Sequence, residues 1–353
     1  MIPSHEELIA FARDSLGLSQ DVEADLTPFT GRGSDRTYFR FRWNTGNSAI
    51  LVHYQPARTE NTYYADIAAF LLDHDIPVPK TIRHDRKRCF LVMDDLGDAD
   101  LRALRNLPWE TRKTPYQKTL AIAHRLHSIP EHSFPSDHVT LAEAFGPNMY
   151  RWERNYFKDN FIAGLCRIEL EPILERALEK ELASLAERLT GDKRCLVHRD
   201  LQAPNVMIYQ SDPYLIDFQG MRFGSRFYDL GSLLCDPFAP LNGNERQELM
   251  AYYFELSKPD YDWDNFQDLF WDAAAQRLMQ ALGAYGYLSQ TRGLKNYLLQ
   301  VPAGLRNLRL AAENAVSLSL LLDICAMCEN ALYDSHFESR ISDLELEDSH
   351  ETP

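Results

Sequence analysis

Three side chains have the types and spacing to move a phosphoryl group. They are Asp200, Asn205 and Asp217, carried by Leu196-Val-His-Arg-Asp-Leu-Gln-Ala-Pro-Asn-Val-Met-Ile208 and by Tyr214-Leu-Ile-Asp-Phe-Gln219. Such a transfer needs one carboxylate to orient and deprotonate the attacking hydroxyl. It also needs hard oxygen ligands that hold Mg²⁺ against nucleotide phosphates. Asp200 fits the first role, and Asn205 with Asp217 fits the second. The pattern His-Arg-Asp-x4-Asn arises by chance in such a chain with a frequency on the order of 10⁻³. The later apolar-apolar-Asp-Phe lowers that by roughly another hundredfold. Two ordinary polar loops are therefore a poor explanation.

Positioning these groups calls for strands. Cys195–Val197 and Tyr214–Ile216 read as two short β segments, expected to lie side by side and to aim all three polar groups into one cleft. Upstream, Phe39, Phe41 and Trp43 alternate with Tyr38, Arg40 and Arg42, the pattern of a half-buried strand. Asn44-Thr-Gly-Asn47 is a hairpin turn leading into a strand over Ala49–Tyr54. A helix is predicted over 61–73, stopped before Pro77 and Pro79, then strands near 79–84 and 88–93. Beyond residue 98 the spacing is helical over 116–128, 149–163, 168–189, 244–257, 264–289, 293–299 and 304–334. An amphipathic helix over 4–17 precedes the sheet. No internal repeat is present.

Composition narrows the function. The 353 residues carry 37 basic and 52 acidic side chains, a net charge of −15. A field of that sign repels phosphate backbones and anionic lipid, so neither a nucleic acid nor a membrane is expected as partner. Glu6, Glu7, Arg13 and Asp14 interrupt the N-terminal stretch, which lacks a signal-peptide core. Six scattered cysteines form no disulfide framework, and Cys325 and Cys328 read as core. A cytoplasmic protein is expected.

Five residues from Asp200 to Asn205 and twelve more to Asp217 match the catalytic loop and metal-binding Asp of the kinase superfamily. With the β-rich then α-rich order and Tyr228-Asp229-Leu230, the chain resembles the aminoglycoside phosphotransferase and choline kinase-like family over about 20–335. It is most similar to the bacterial anomeric kinases of N-acetylmuramate and N-acetylglucosamine that serve cell-wall recycling. That likeness rests on Ser34-Asp-Arg-Thr-Tyr-Phe-Arg-Phe-Arg-Trp43, on Asp-Phe-Gln in place of Asp-Phe-Gly, and on Gln276-Arg-Leu-Met-Gln-Ala-Leu-Gly283 with Leu305-Arg306.

The resemblance implies an α+β, bilobal protein-kinase-like fold, with a small antiparallel-sheet N-lobe and a large, mainly helical C-lobe. The expected divisions are a nucleotide-binding lobe over 1–93, a hinge over 94–98, a catalytic and acceptor lobe over 99–337, and an acidic tail over 338–353. It implies ATP and Mg²⁺ as cofactors, Asp200 as catalytic base, and Asn205 and Asp217 as metal ligands. His198 and Asp229 become scaffold of the loop. Gly31, Gly33 and Ser34 are expected over the nucleotide phosphates, where glycine permits close backbone approach. Asp94 and Leu96 mark the hinge whose backbone would read the adenine edge.

Glu153, Asp236, Arg277 and Arg306 are candidates for the acceptor. The two arginines suit a carboxylate-bearing sugar through bidentate pairing. His124 and His127 read as packing or helix-end residues. One departure is clear: the strand Ala49-Ile-Leu-Val-His-Tyr54 has no Lys to hold the α- and β-phosphates, and His53 is the basic residue nearest that place. A kinase for an aminoglycoside or choline-like alcohol, and a non-catalytic module, are the competing readings. The intact Asp200, Asn205 and Asp217 argue against the last.

Overall fold

The computed structural model describes residues 3–29, 36–334, 337 and 341. The expectations for Gly31, Gly33 and Ser34, and for the tail over 338–353 apart from Ile341, fall outside these residues. Helix α1 (His5–Leu16) is capped by the Ser4 hydroxyl, which accepts the Glu7 N–H at 3.1 Å, and is closed by Gly17 at φ +66°. Strands β1 (Ala24–Pro28), β2 (Arg36–Trp43), β3 (Asn47–Tyr54), β4 (Thr81–Asp85) and β5 (Phe90–Asp94) follow, with α2 (Tyr64–Asp73) between β3 and β4. They form one antiparallel sheet in the order β1-β2-β3-β5-β4.

The two faces of this sheet follow from its period of two. Phe41, Ala49, Leu51, Phe90 and Val92 pack beneath Leu8, Phe11 and Ala12 of α1, a small core of its own. Ile50, Val52, Leu91 and Met93 face the other way and join the large core of the rest of the chain. The small lobe is thus bonded to the large one through buried apolar surface, the dominant favourable term in such a contact.

The large lobe holds α3 (Trp109–His127), α4 (Pro147–Phe157), α5 (Pro172–Gly191), α6 (Arg226–Leu234), α7 (Gly243–Ser257), α8 (Trp263–Gln290), α9 (Val301–Asn314) and α10 (Ser319–Asp334). Strands β6 (Arg194–Val197), β7 (Val206–Tyr209), β8 (Asp212–Leu215) and β9 (Arg222–Ser225) lie between α5 and α6. Among the described residues no helix is long and apolar enough to cross a membrane. The six cysteines are free and buried, Cys325 and Cys328 fully so.

Four expectations need correction. The segments around 195–197 and 214–216 do not pair with each other. β6 pairs with β9 and β7 with β8, because the chain turns back on itself at Asp217. The expected helix over 304–334 is two helices. The N-terminus of α10 is fixed by Glu181 of α5, whose carboxylate accepts the N–H groups of Leu320 and Leu321 at 3.0 and 2.9 Å. The helix begun at Pro147 widens into a π-helix over Lys158–Leu165, where Gly286 of α8 meets its backbone at Asn160 and Phe161, one turn beyond the meeting of Gly283 with Tyr156 and Phe157. Helix α3 starts at Trp109 and runs through Pro115, a residue that ordinarily marks a break.

Candidate active site

The two small ladders set the site. β7 and β8 join Val206 to Leu215, so Asn205 and Ile216 lie side by side, and the Ile216 N–H bonds the Asn205 carbonyl at 3.0 Å. β6 and β9 join Val197 to Arg222, which brings His198 beside the turn that carries Asp217. Asp200, Asn205 and Asp217 are thereby gathered at the ends of four short strands. Two residues there hold left-handed backbone that side chains rarely adopt: Arg199 at φ +77° and Asp217 at φ +64°.

Buried polar partners hold that strain. Asp229, fully buried on α6, accepts the N–H groups of His198 and Arg199 at 2.7 and 2.8 Å. His127 Nε2 donates to the same carboxylate at 3.0 Å, while its Nδ1 lies 2.7 Å from the Tyr253 hydroxyl. Burial holds His127 below the usual imidazole range, which keeps it neutral, with one N–H for Asp229 and one acceptor for Tyr253. His127 is therefore more than a packing residue. His198 donates from Nε2 to the Ile216 carbonyl at 3.0 Å and accepts the Asp200 N–H at Nδ1 at 3.3 Å, stitching the Asp200 loop to the segment that leads into Asp217.

Asp200 keeps 27% of its side chain exposed, and one oxygen accepts Arg277 Nη2 at 2.5 Å. Arg277 is buried on α8 and held by Ser232 at 3.1 Å and Gln280 at 2.6 Å. Desolvation would lower its pKa, but the Asp200 charge wins and raises it. The Asn205 amide donates to the Asp200 carbonyl at 2.9 Å, which turns its oxygen, Oδ1, away from that carbonyl. Asp217 receives Arg36, the first residue of β2, and Gln219 Nε2 at 2.8 Å, both on Oδ1. Desolvation works to raise the Asp217 pKa, yet the Arg36 charge and these bonds bring it down to about 2. Oδ2 of Asp217 and Oδ1 of Asn205 are hard oxygens of the kind Mg²⁺ takes, so these two side chains could hold such an ion. Among the described residues no three His, Cys, Asp or Glu side chains make a metal cage by themselves.

The acceptor candidates fall in different places. Arg277 touches Asp200. Asp236 is 2% exposed and accepts the backbone N–H groups of Ala203 and Phe238 at 2.6 and 3.0 Å, bracing the loop from beneath. Burial pushes its carboxyl up to about 7. Glu153 is buried with one oxygen on the Tyr228 hydroxyl at 2.7 Å and the other on Gln276 Nε2 at 2.9 Å, and burial raises its pKa. Arg306 is exposed and lines a surface cavity of about 580 Å³ with Arg246, Arg309, Glu313 and Glu329, none of them in the Asp200–Asp217 segment.

In the segment expected as the hinge, Asp94 ends β5 and accepts the Lys80 N–H at 3.1 Å, Leu96 is buried, and the Ala99 carbonyl accepts the Ile208 N–H at 2.8 Å. Arg40 of β2 ties the sheet to this segment through Asp95 and Asp98. His53 lies on the α1 side of the sheet, its ring 5.5 Å from that of Phe90. It does not reach the cleft. Arg36 of β2 does, at Asp217, and the sequence reading did not single it out.

A five-stranded antiparallel lobe over a helical lobe, with an acid, an amide and a second acid converging at the junction, defines a kinase-type phosphotransferase site. The chain belongs to the phosphotransferase enzyme family, whose model matches residues 25–269. It is 26% identical over 303 residues to an N-acetylmuramate/N-acetylglucosamine kinase of Neisseria meningitidis, covering 84% of this chain and 88% of that protein. It is 24% identical over 320 residues to the protein of the same name from Pseudomonas aeruginosa, covering 88% and 90%. In fold it is similar to a choline/ethanolamine kinase family protein of Mesorhizobium loti, with a TM-score of 0.60 at 14% identity over 91% and 99% of the two chains. The aminoglycoside phosphotransferase of a streptomycin–ATP ternary complex gives 0.58 at 16% identity over 86% and 99%.

Proposed function

We propose that this protein is an ATP- and Mg²⁺-dependent kinase for a small-molecule hydroxyl, the anomeric hydroxyl of an N-acetylated amino sugar of the N-acetylmuramate or N-acetylglucosamine type. The observation that carries the reading is the catalytic loop itself. Asp200 is fixed on one oxygen by Arg277 and left open on its other side, beside Asn205 and Asp217. In the transfer, Asp200 orients the acceptor hydroxyl and takes its proton. The sugar oxygen bonds the γ-phosphorus as the bond to the bridging β–γ oxygen breaks, and ADP leaves. When bound, Mg²⁺ neutralises charge on the phosphate oxygens, and Asn205 with Asp217 would hold it. A hemiacetal hydroxyl is more acidic than an ordinary alcohol, which eases the task of Asp200.

Two facts support a sugar over a cationic acceptor. Both curated relatives described above carry amino-sugar kinase names over most of their length. The cations facing Asp200 are Arg277 and Arg199, whose charges are favoured by it, and they oppose a polycationic aminoglycoside or choline. Six buried free thiols and a net charge of −15 support a reducing cytoplasmic setting with neither nucleic acid nor membrane as partner. The test is ADP release with Mg-ATP across free amino sugars, aminoglycosides and choline. Turnover with the amino sugars is expected; turnover confined to aminoglycosides or choline would contradict the acceptor class.

A further inference from the structure

Two arginines beside Asp200 have no acid paired with them among the described residues. Arg199 precedes Asp200 in the loop at φ +77°, and Arg222 opens β9 opposite Val197. They flank the same glycine. A Cβ on Gly220 would lie 3.8 Å from Arg199 Cδ, and Arg222 Nε donates to the Gly220 carbonyl at 3.1 Å. Arg222 is 6% exposed and lies over the Phe145 ring at 5.1 Å, whereas Arg199 is half-buried. Apart from the bond to Gly220, neither guanidinium makes a hydrogen bond or ion pair with a described residue.

The acids around them are engaged elsewhere. Asp200 accepts Arg277, Asp229 accepts His127 and the loop N–H groups, and Glu153 has one oxygen on Tyr228 and the other on Gln276. Glu60, in the turn before α2, favours the Arg222 charge but forms no ion pair with it. The two arginines expected for a carboxylate are not placed to take one. Arg277 is held by Asp200, Ser232 and Gln280, and Arg306 is exposed on another surface. Burial, and then the Arg199 charge, bring the Arg222 pKa down. Like charges kept together out of water are costly unless an anion joins them, and the planar guanidinium fork matches a carboxylate.

We propose that Arg199 and Arg222 form an anion subsite for the acceptor, which takes the carboxylate of an acidic amino sugar while Asp200 engages its anomeric hydroxyl. The proposal rests on the amino-sugar kinase reading above and deepens it. The lactyl ether group of N-acetylmuramate supplies such a carboxylate, and N-acetylglucosamine has none. The arginine pair therefore makes the enzyme select the acidic sugar.

The experiment measures kcat and KM for N-acetylmuramate, its neutral lactyl methyl ester and N-acetylglucosamine, and the KM for ATP. The proteins are the full-length parent, Arg199→Met, Arg222→Met and Arg222→Lys. Losing one charge-assisted contact should lower the kcat/KM ratio of N-acetylmuramate to N-acetylglucosamine at least about tenfold in either methionine variant. The ester should behave like N-acetylglucosamine, and Arg222→Lys should recover part of the ratio because it keeps the charge without the fork. A ratio within one protein is independent of how much of it is folded. If neither methionine variant folds, a smaller fall of the same ratio in Arg222→Lys supports the proposal. An unchanged ratio in every variant would overturn it, as would equal use of acid and ester by the parent. A rise in the KM for ATP of the same size with both sugars would assign the pair to a nucleotide phosphate and also overturn it. A parent that turns over N-acetylglucosamine but not N-acetylmuramate would overturn the proposal and leave the kinase reading standing. No turnover of any amino sugar would overturn the acceptor reading, and the proposal with it.

Discussion

Gly231→Ala tests whether two helices must meet closely for the site to form. Gly231 lies on α6 two residues after the loop brace Asp229, and it faces Ala274 on α8 three residues before Arg277. A Cβ added there would lie 2.8 Å from Ala274 Cα, 3.1 Å from its nitrogen and 3.2 Å from its Cβ. Ordinary contact begins at 3.4 Å, so the helices must separate by about 0.6 Å, and helix backbone has no flexible end to give way. Overpacking of this kind costs about 1–3 kcal/mol. Alanine returns about 1 kcal/mol of helix propensity, leaving a net loss of about 0–2 kcal/mol. The same shift pulls Asp229 and Arg277 apart, and since a 1 Å misplacement can cost about a hundredfold in rate, roughly tenfold is expected here. Urea unfolding and turnover measure both, with Gly243→Ala as control, because nothing lies within 4 Å of a Cβ there. A Gly231→Ala protein with the parent's midpoint and turnover would refute the reasoning.

Asp217→Ala should abolish most Mg-ATP turnover, and the parent should lose its activity in EDTA; full activity in EDTA would remove the metal role of Asp217. Asp236 should make stability fall as pH rises. Its folded pKa of about 7 lies above the ordinary 3.8, so between about pH 4 and 7 the folded chain holds a proton the unfolded chain has lost. The contribution is complete below pH 4 and gone above about 7, and it amounts to no more than about 4 kcal/mol. Denaturation from pH 4 to 8 should show a parent stability that declines relative to Asp236→Asn; a constant offset between the two would contradict the buried-carboxyl reading. Glu181→Ala should fray α10 and lower stability by about 1 kcal/mol, the size of a lost helix cap; hydrogen exchange at Leu320 and Leu321 no faster than in the parent would count against it.

The order of lobes, the alternation in β2 and the Asp200–Asn205–Asp217 spacing were legible because each depends on residues close in the chain. What the sequence reading missed depends on groups far apart. Arg36 meets Asp217 across 181 residues, and the start of α10 is set by Glu181 from 139 residues upstream. Strand pairing of β6 with β9 follows from the left-handed turn at Asp217, a conformation that an aspartate does not advertise. Pro115 reads as a break, but α3 continues past it with Tyr116, Leu120 and Ala123 anchored in the core. Asp236, a candidate for the acceptor by position, has its oxygens engaged by loop N–H groups.

The central claim, base-assisted phosphoryl transfer to an anomeric hydroxyl by Asp200, is tested most directly by phosphorus NMR of the reaction product. N-acetylglucosamine and its 1-O-methyl glycoside are each incubated with Mg-ATP and either the parent or Asp200→Asn. The account predicts a sugar 1-phosphate from the free sugar with the parent, no product from the glycoside, and a rate about 10²–10⁴ lower with Asp200→Asn. A 6-phosphate, equal turnover of the glycoside, or an Asp200→Asn rate near the parent's would contradict it.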